Sequence, residues 1–319
     1  MSIALIQLTD KHTEVVGGLI SLFEKSFKNF YIYYQSYPSD FCSYYKSNLQ
    51  SSTVKINLIK NPEIIGVHDI YLFITGIEYI FYKNDKILRN ISRSKIILLS
   101  HTTEEYETLK EEDVALIAIT PVYKQIPYFL TYCNLPLKKS STNQNKIKIF
   151  LSGFTNPRNK DLQGLKRLFR YLINKSINIF EFNITNYYSI DELDEFSDIC
   201  KVHVDADARK MMKMLSESNY VMTLTKQNSS YHTRQLTGII PLAVSLGIPL
   251  IIDKDLAKIY RFSNKNSIIY SFSGINTIKD VVLSILERHK DYQYIRKELI
   301  KLRNSTIIQE RNKMQKFLK

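Results

Sequence analysis

Apolar positions recur along the chain with two alternating periods. Residues 3–8 form a nearly unbroken apolar run and read as a buried strand. Residues 12–26 carry Val15, Val16, Leu19, Ile20, Leu22 and Phe23 at helical spacing and read as an amphipathic helix. Further strands are expected at 30–34, 53–59, 71–75, 95–99 and 114–119, with a helix at 40–49, while 64–82 admits more than one parsing. A polar stretch, NLPLKKSSTNQ at 134–144, has no apolar period and reads as a linker.

The alternation then restarts, with strand 146–151, helix 160–173, strand 177–182, helix 206–217 and strand 221–224. Pro241 fits only a first helical turn, so the next helix cannot begin much before Gly238, and Gly247 with Pro249 stops it ahead of a strand at 249–252. Helices at 277–289 and 292–319 close the chain, the second of them dense in Lys and Arg. Strands alternating with helices argue for parallel sheets covered on both faces. The expected fold is therefore α/β, with two Rossmann-like domains, 1–140 and 141–319, facing a central cleft. Ligands in such sheets bind outside the carboxyl ends of the strands.

Composition narrows the class. The chain has 319 residues, enough for two cores, with 44% hydrophobic residues and no apolar run long enough for a spanning helix. Its first residues have no basic region ahead of the apolar stretch and no small-residue cleavage pattern, so they read as a strand. Three widely separated cysteines, Cys42, Cys133 and Cys200, fit a reducing, cytoplasmic setting and no disulfide framework. The net charge of +13 accompanies abundant Lys, Ile, Asn and Tyr, a composition that AT-rich coding produces unaided, and no nucleic-acid motif goes with it.

Candidate chemistry collects in loops at strand ends. The loop after strand 221–224 holds Lys226, Ser229, Ser230, His232, Arg234 and Gln235, and it enters the helix through Thr237 and Gly238. Backbone N–H groups and the positive end of a helix suit a phosphate there. The loop after strand 146–151 offers Gly153, Arg158 and Lys160, with Arg a bidentate phosphate partner and Lys a point charge. The loop after the first strand holds Asp10 and His12; Asp10 can cap the following helix, and a histidine of near-neutral pKa can serve as a base. Gly17 and Gly18 inside the first helix suggest close approach by a ligand or a neighbouring helix. Asp205 and Asp207 form a D-x-D, read as an N-cap and a first-turn carboxylate, not a metal site. The acidic run 191–198 reads as a solvated helix face, and His68, Asp69 and His101 stand at loop edges.

The segment T-G-I-I-P-L-A-V-S-L-G-I-P-L-I at 237–251 resembles the donor-binding βαβ unit of GT-B glycosyltransferases. The resemblance implies a sugar transferase of glycan biosynthesis whose second domain holds a nucleotide sugar, UDP- or GDP-linked, without a required metal or other cofactor. It places Gly153, Arg158, Lys160, Lys226, Ser229, Ser230, His232, Arg234, Gln235, Thr237 and Gly238 around the diphosphate, and His12, with Asp10, at the acceptor hydroxyl. The implied acceptor is a glycan, a lipid-linked sugar or a protein, reached by a peripheral membrane contact in the lipid-linked case, and nucleic acid is not an implied partner. The last helix is expected to cross back to the first domain. The chain departs from the large retaining branch, which carries a pair of glutamates where this sequence has Arg234 and Leu242. Polysaccharide pyruvyltransferases share the fold and carry S-x-R-x-H, whose residue types occur in 229–234 in another order; a non-catalytic carbohydrate-binding descendant is the other alternative.

Overall fold

A computed structural model describes every residue of the chain except 9–11, 36–39, 50, 52, 90, 120–125, 138–144, 154–158, 228, 234–236 and 272–276. Much of the expected linker lies outside these described residues. The first half folds as β1 (Ser2–Gln7), α1 (Val16–Phe23), β2 (Asn29–Tyr34), α2 (Asp40–Leu49), β3 (Lys55–Lys60), β4 (Ile70–Phe73), α3 (Gly76–Tyr82), β5 (Ile96–Ser100), α4 (Thr103–Leu109) and β6 (Ala115–Ala118). These strands pair in parallel in the order β3-β2-β1-β4-β5-β6. The central β1 is buried on both sides, which is why its sequence is apolar without alternation, whereas edge strand β3 exposes Lys55 and Lys60.

The second half folds as β7 (Ile147–Ser152), α5 (Leu162–Asn174), β8 (Phe180–Asn186), β9 (Cys200–Val204), α6 (Ala208–Glu217), β10 (Tyr220–Met222), α7 (Ser230–Thr233), α8 (Ile239–Leu246), β11 (Leu250–Asp253), α9 (Lys254–Ile259), β12 (Ser267–Tyr270), α10 (Thr277–His289) and α11 (Tyr292–Phe317). Its parallel sheet runs β12-β11-β10-β7-β8-β9. Counted within each half, both sheets have the order 3-2-1-4-5-6. In each, the strand order reverses beside the first strand, between β1 and β4 and between β7 and β10, and a crevice opens at such a switch point.

Two compact units comprise Met1–Leu135, Arg234–Leu242 and Asn304–Lys319 on one hand, and Pro136–Thr233 and Ala243–Arg303 on the other. The end of α11 therefore packs within the first unit, as expected. Arg311 there donates to the Ser21 carbonyl at 2.7 Å and pairs with Glu24 at 2.6 Å. The glycine pair of α1 serves packing: a Cβ on Gly18 would lie 2.0 Å from the Thr131 carbonyl oxygen, and one on Gly17 would meet the Tyr45 ring of α2.

The structure departs from expectation at several elements. Helix α1 begins at Val16, since a 3-10 turn spans Thr13–Val15 and His12 has a left-handed φ of 64°. Strands β9 and β12 had no expected counterpart, the first because CKVHV lacks an apolar run and the second because its apolar run is just Ile268, Ile269 and Tyr270. Asp207, not Asp205, caps α6 by accepting from the Lys210 N–H at 2.7 Å. Asp205 instead turns the chain after β9 with φ 47°. The acidic run is a solvated helical face as expected, though the helix is 3-10, Asp191–Phe196, with Leu193 and Phe196 buried beneath the exposed acids.

Candidate functional site

In the second unit, the two loops beside the β7/β10 switch point are joined by backbone bonds. The Asp161 N–H donates to the Leu224 carbonyl at 3.1 Å and the Lys226 N–H to the Asn159 carbonyl at 2.9 Å, and Lys160 and Thr225 form an antiparallel bridge. The buried Asn159 side chain fastens them again, its Oδ1 accepting from the Ser230 N–H at 3.1 Å and the Ser230 hydroxyl at 2.8 Å. Gly153 takes φ 77°, where only glycine is unstrained, and its N–H donates to the Thr185 carbonyl at 3.2 Å.

Lys160 is 3% exposed. Its Nζ donates to the Thr223 carbonyl at 2.8 Å and lies 5.6 Å from the centre of the Tyr231 ring. Burial pushes its pKa down to about 8, with no carboxylate offsetting the loss of hydration. A buried cation of this kind is costly alone and well suited to an incoming anion.

Behind the loop stands a network that closes on Asp253, which is 1% exposed. Its carboxylate accepts from the Thr225 hydroxyl at 2.8 Å, meets His232 Nε2 at 2.9 Å, and caps α9 by accepting from the N–H groups of Asp255 and Leu256. His232 Nδ1 lies 3.0 Å from the Ser229 hydroxyl. The bond to Asp253 raises the His232 pKa against its partial burial. Burial pushes the Asp253 carboxyl up, but hydrogen bonds from His232, Leu256 and Thr225 outweigh it and leave the pKa lowered. The His232 ring is thus held to the wall of the site by a buried carboxylate, the Ser229 hydroxyl is bonded to His232 and the Ser230 hydroxyl to Asn159 of the other loop.

In the first unit, His12 follows β1 and stacks on His101, which follows β5, with ring centroids 3.6 Å apart and planes 16° from parallel. His101 is 1% exposed and its Nε2 meets the Ile74 carbonyl at 2.5 Å. Burial first, then the neighbouring His12, push its pKa well below 6.5, so it stays neutral and Nε2 carries the proton toward the carbonyl. His12 Nδ1 lies 3.6 Å from the Glu14 carboxylate. Gly238 belongs to the same unit, where a Cβ would lie 2.5 Å from Glu14 Oε1, and Thr237 beside it is buried. His68 is buried against the Tyr33 hydroxyl at 2.7 Å and is structural.

The second unit therefore brings together Gly153, Lys160, Lys226, Ser229, Ser230 and His232, with Lys226 exposed. Thr237, Gly238 and His12 fall in the first unit, and Asp10, Arg158, Arg234 and Gln235 lie outside the described residues. Asn159, Thr225, Asp253 and Glu14 are additions that sequence reading passed over. Asp253 had a signal, an acid ending the apolar strand L-I-I-D ahead of a helix, which is an N-cap pattern.

These two sheets, with their shared strand order, define a two-domain α/β protein of the GT-B fold. No protein family matches the sequence, nor does any curated protein. Solved structures share the fold at low identity. Anabaena HepE, crystallised with UDP-glucose, aligns over 100% of this chain and 99% of its own at 10% identity and a TM-score of 0.65. An α-glucosyltransferase bound to UDP and a 13-mer DNA aligns over 95% and 94% at 13% identity and a TM-score of 0.59. TarM aligns over 78% of this chain and 54% of its own at 12% identity and a TM-score of 0.54.

Proposed function

We propose that the protein transfers a sugar from a nucleotide sugar to an acceptor hydroxyl. The observation that carries this reading is Lys160, a buried lysine without a carboxylate partner among the described residues, in the joined wall of the β7/β10 switch point. A donor diphosphate would lie against Lys160, the Gly153 turn and the exposed Lys226, and Arg158, Arg234 and Gln235, outside the described residues, are further candidates by sequence. Negative charge grows on the departing diphosphate, and fixed cations stabilise it without a metal. Ser229, Ser230 and His232 position the wall, and Thr237 and Gly238 lead into α8. His12, oriented by the His101 stack and the Glu14 carboxylate, would take the acceptor proton, with Asp10 on the same loop. The UDP and UDP-glucose held by HepE favour a UDP-linked donor over a GDP-linked one. The acceptor class is a glycan or a lipid-linked sugar met at a membrane surface; no helix among the described residues is long and apolar enough to cross a membrane.

The test is calorimetric titration of the wild type and Lys160→Met with UDP, GDP and their sugars, with and without EDTA. Saturable binding that EDTA leaves alone and the variant loses is the expected result. Absence of binding by any nucleotide removes the reading. A second acceptor class, DNA, is suggested by the DNA bound in the α-glucosyltransferase neighbour. Transfer of labelled sugar to duplex DNA in preference to glycan would select it.

A further inference from the structure

The two flanks of the β7/β10 switch point differ in what they offer a ligand. On the β10/β11 side, Thr225, Ser229, His232 and Asp253 are bonded to one another and closed. On the β7/β8 side, the strand carrying the Gly153 turn runs beside β8, and the chain leaving β8 presents Tyr187 and Tyr188, 72% and 74% exposed. Two consecutive tyrosines left in water forgo the burial their rings would gain in a core. They stand on a firm base: the Asp205 N–H donates to the Asn186 carbonyl at 2.9 Å, tying this turn to the one after β9, and Asn186 Nδ2 donates to the Tyr188 carbonyl at 3.0 Å. The Gly153 N–H donates to Thr185, only two residues before Tyr187, which connects the diphosphate turn to the tyrosine turn. Beneath them, Asn186 is 9% exposed and its Oδ1 is a buried acceptor with no partner among the described residues. An acceptor left so is costly and marks a place where a donor group is missing.

A nucleoside diphosphate anchored at Gly153 and Lys160 must lay its nucleoside to one flank, and among the described residues around this switch point the exposed aromatic side chains are Tyr187 and Tyr188 on the β8 flank. We infer that Tyr187 and Tyr188 form the platform on which the nucleobase of the donor stacks. This rests on the donor reading above and assigns that site its base-contacting residues. Every base has a π-face, so the platform supplies affinity, and the polar groups around Asn186 supply the choice of base.

The experiment is calorimetric titration of the full chain with UDP, GDP and inorganic pyrophosphate, for wild type, Tyr187→Ala, Tyr188→Ala, the double variant and the matching Phe substitutions. Both side chains are exposed, so the variants fold, and unchanged circular dichroism verifies it. Stacking predicts that the double Ala variant weakens binding of the preferred nucleoside diphosphate by about tenfold or more, while the Phe variants keep it. Pyrophosphate, which has no base, binds all variants alike. Unchanged affinity for UDP and GDP in the double Ala variant overturns the platform and leaves the donor reading standing. Equal losses for pyrophosphate and nucleotide overturn it as well, by placing the tyrosines at the phosphates. If the wild type binds no nucleoside diphosphate, the donor reading and the platform fall together.

Discussion

Two histidines, one in each unit, are held at the carboxyl edges of parallel sheets and are prepared for opposite charge states. His101 is sealed in the first unit under the His12 ring, with the Ile74 carbonyl as the partner of its Nε2, and its pKa falls. His232 in the second unit meets the buried Asp253, and its pKa rises. The same side chain is an insulated neutral plate in one place and half of an ion pair in the other. Partner chemistry, not residue type or burial alone, sets which form the fold holds. The first arrangement suits proton abstraction by its stacked neighbour, the second a wall built to keep its shape beside an anion.

The largest expected break of this contrast is Asp253→Ala. It strands His232, Thr225 and the first N–H groups of α9 in a buried site, and should cost about 3 kcal/mol or more, read as the urea midpoint of the second unit's transition. His12→Ala should lower kcat by roughly 100-fold or more if His12 is the base. His101→Phe, which keeps a flat ring under His12, should retain more of that rate than His101→Ala. Lys160→Met should abolish the gain in stability from the donor nucleotide, which amounts to about 2.7 kcal/mol at a hundredfold excess over Kd in wild type. Without nucleotide the same variant should be no less stable than wild type, because a buried charge has been removed.

The effects of pH sharpen the comparison most. His232 has a raised folded pKa, so its contribution is full below 6.5 and is lost as pH rises through the raised value. Asp253 has a lowered one, so its contribution is present above 3.8 and is lost as pH falls through the depressed value. His101 acts in reverse to His232: the unfolded chain takes up its proton first, so stability falls as pH drops below 6.5. Lys160, at about 8 when folded against 10.5 unfolded, makes the protein more stable as pH rises between those values. Histidine-resolved NMR titration of wild type and Asp253→Asn measures the signs at His101 and His232 directly, and His232 moving to or below 6.5 in the variant is the expected outcome.

The sheets were legible where strands are buried on both faces, since β1, β5 and β11 leave unbroken apolar runs. They were illegible at β9, an edge strand where Lys201 and His203 interrupt the apolar residues, and at β12, whose apolar run is only three residues. The site loops were legible because polar residues follow strand ends at a switch point. What sequence could not show is how those residues pair. Asn159 and Ser230 are 71 positions apart and His232 and Asp253 are 21 apart, so partners are chosen by tertiary proximity that no local pattern encodes. Hence the hydroxyls of Ser229 and Ser230 and the His232 ring, expected to face a ligand, are engaged within the protein.

The backbone splice between the two loops at β7 and β10 also governs how this wall moves. Because the N–H groups of Asp161 and Lys226 are each bonded across to the other loop, neither loop can detach while the other remains in place. Their amide protons should exchange with deuterium at a common rate, as one cooperative opening, and more slowly than those of loops bonded only to themselves. A ligand arriving there meets a surface whose ordering entropy was settled during folding, so its association should proceed in a single kinetic phase without a subsequent slow tightening.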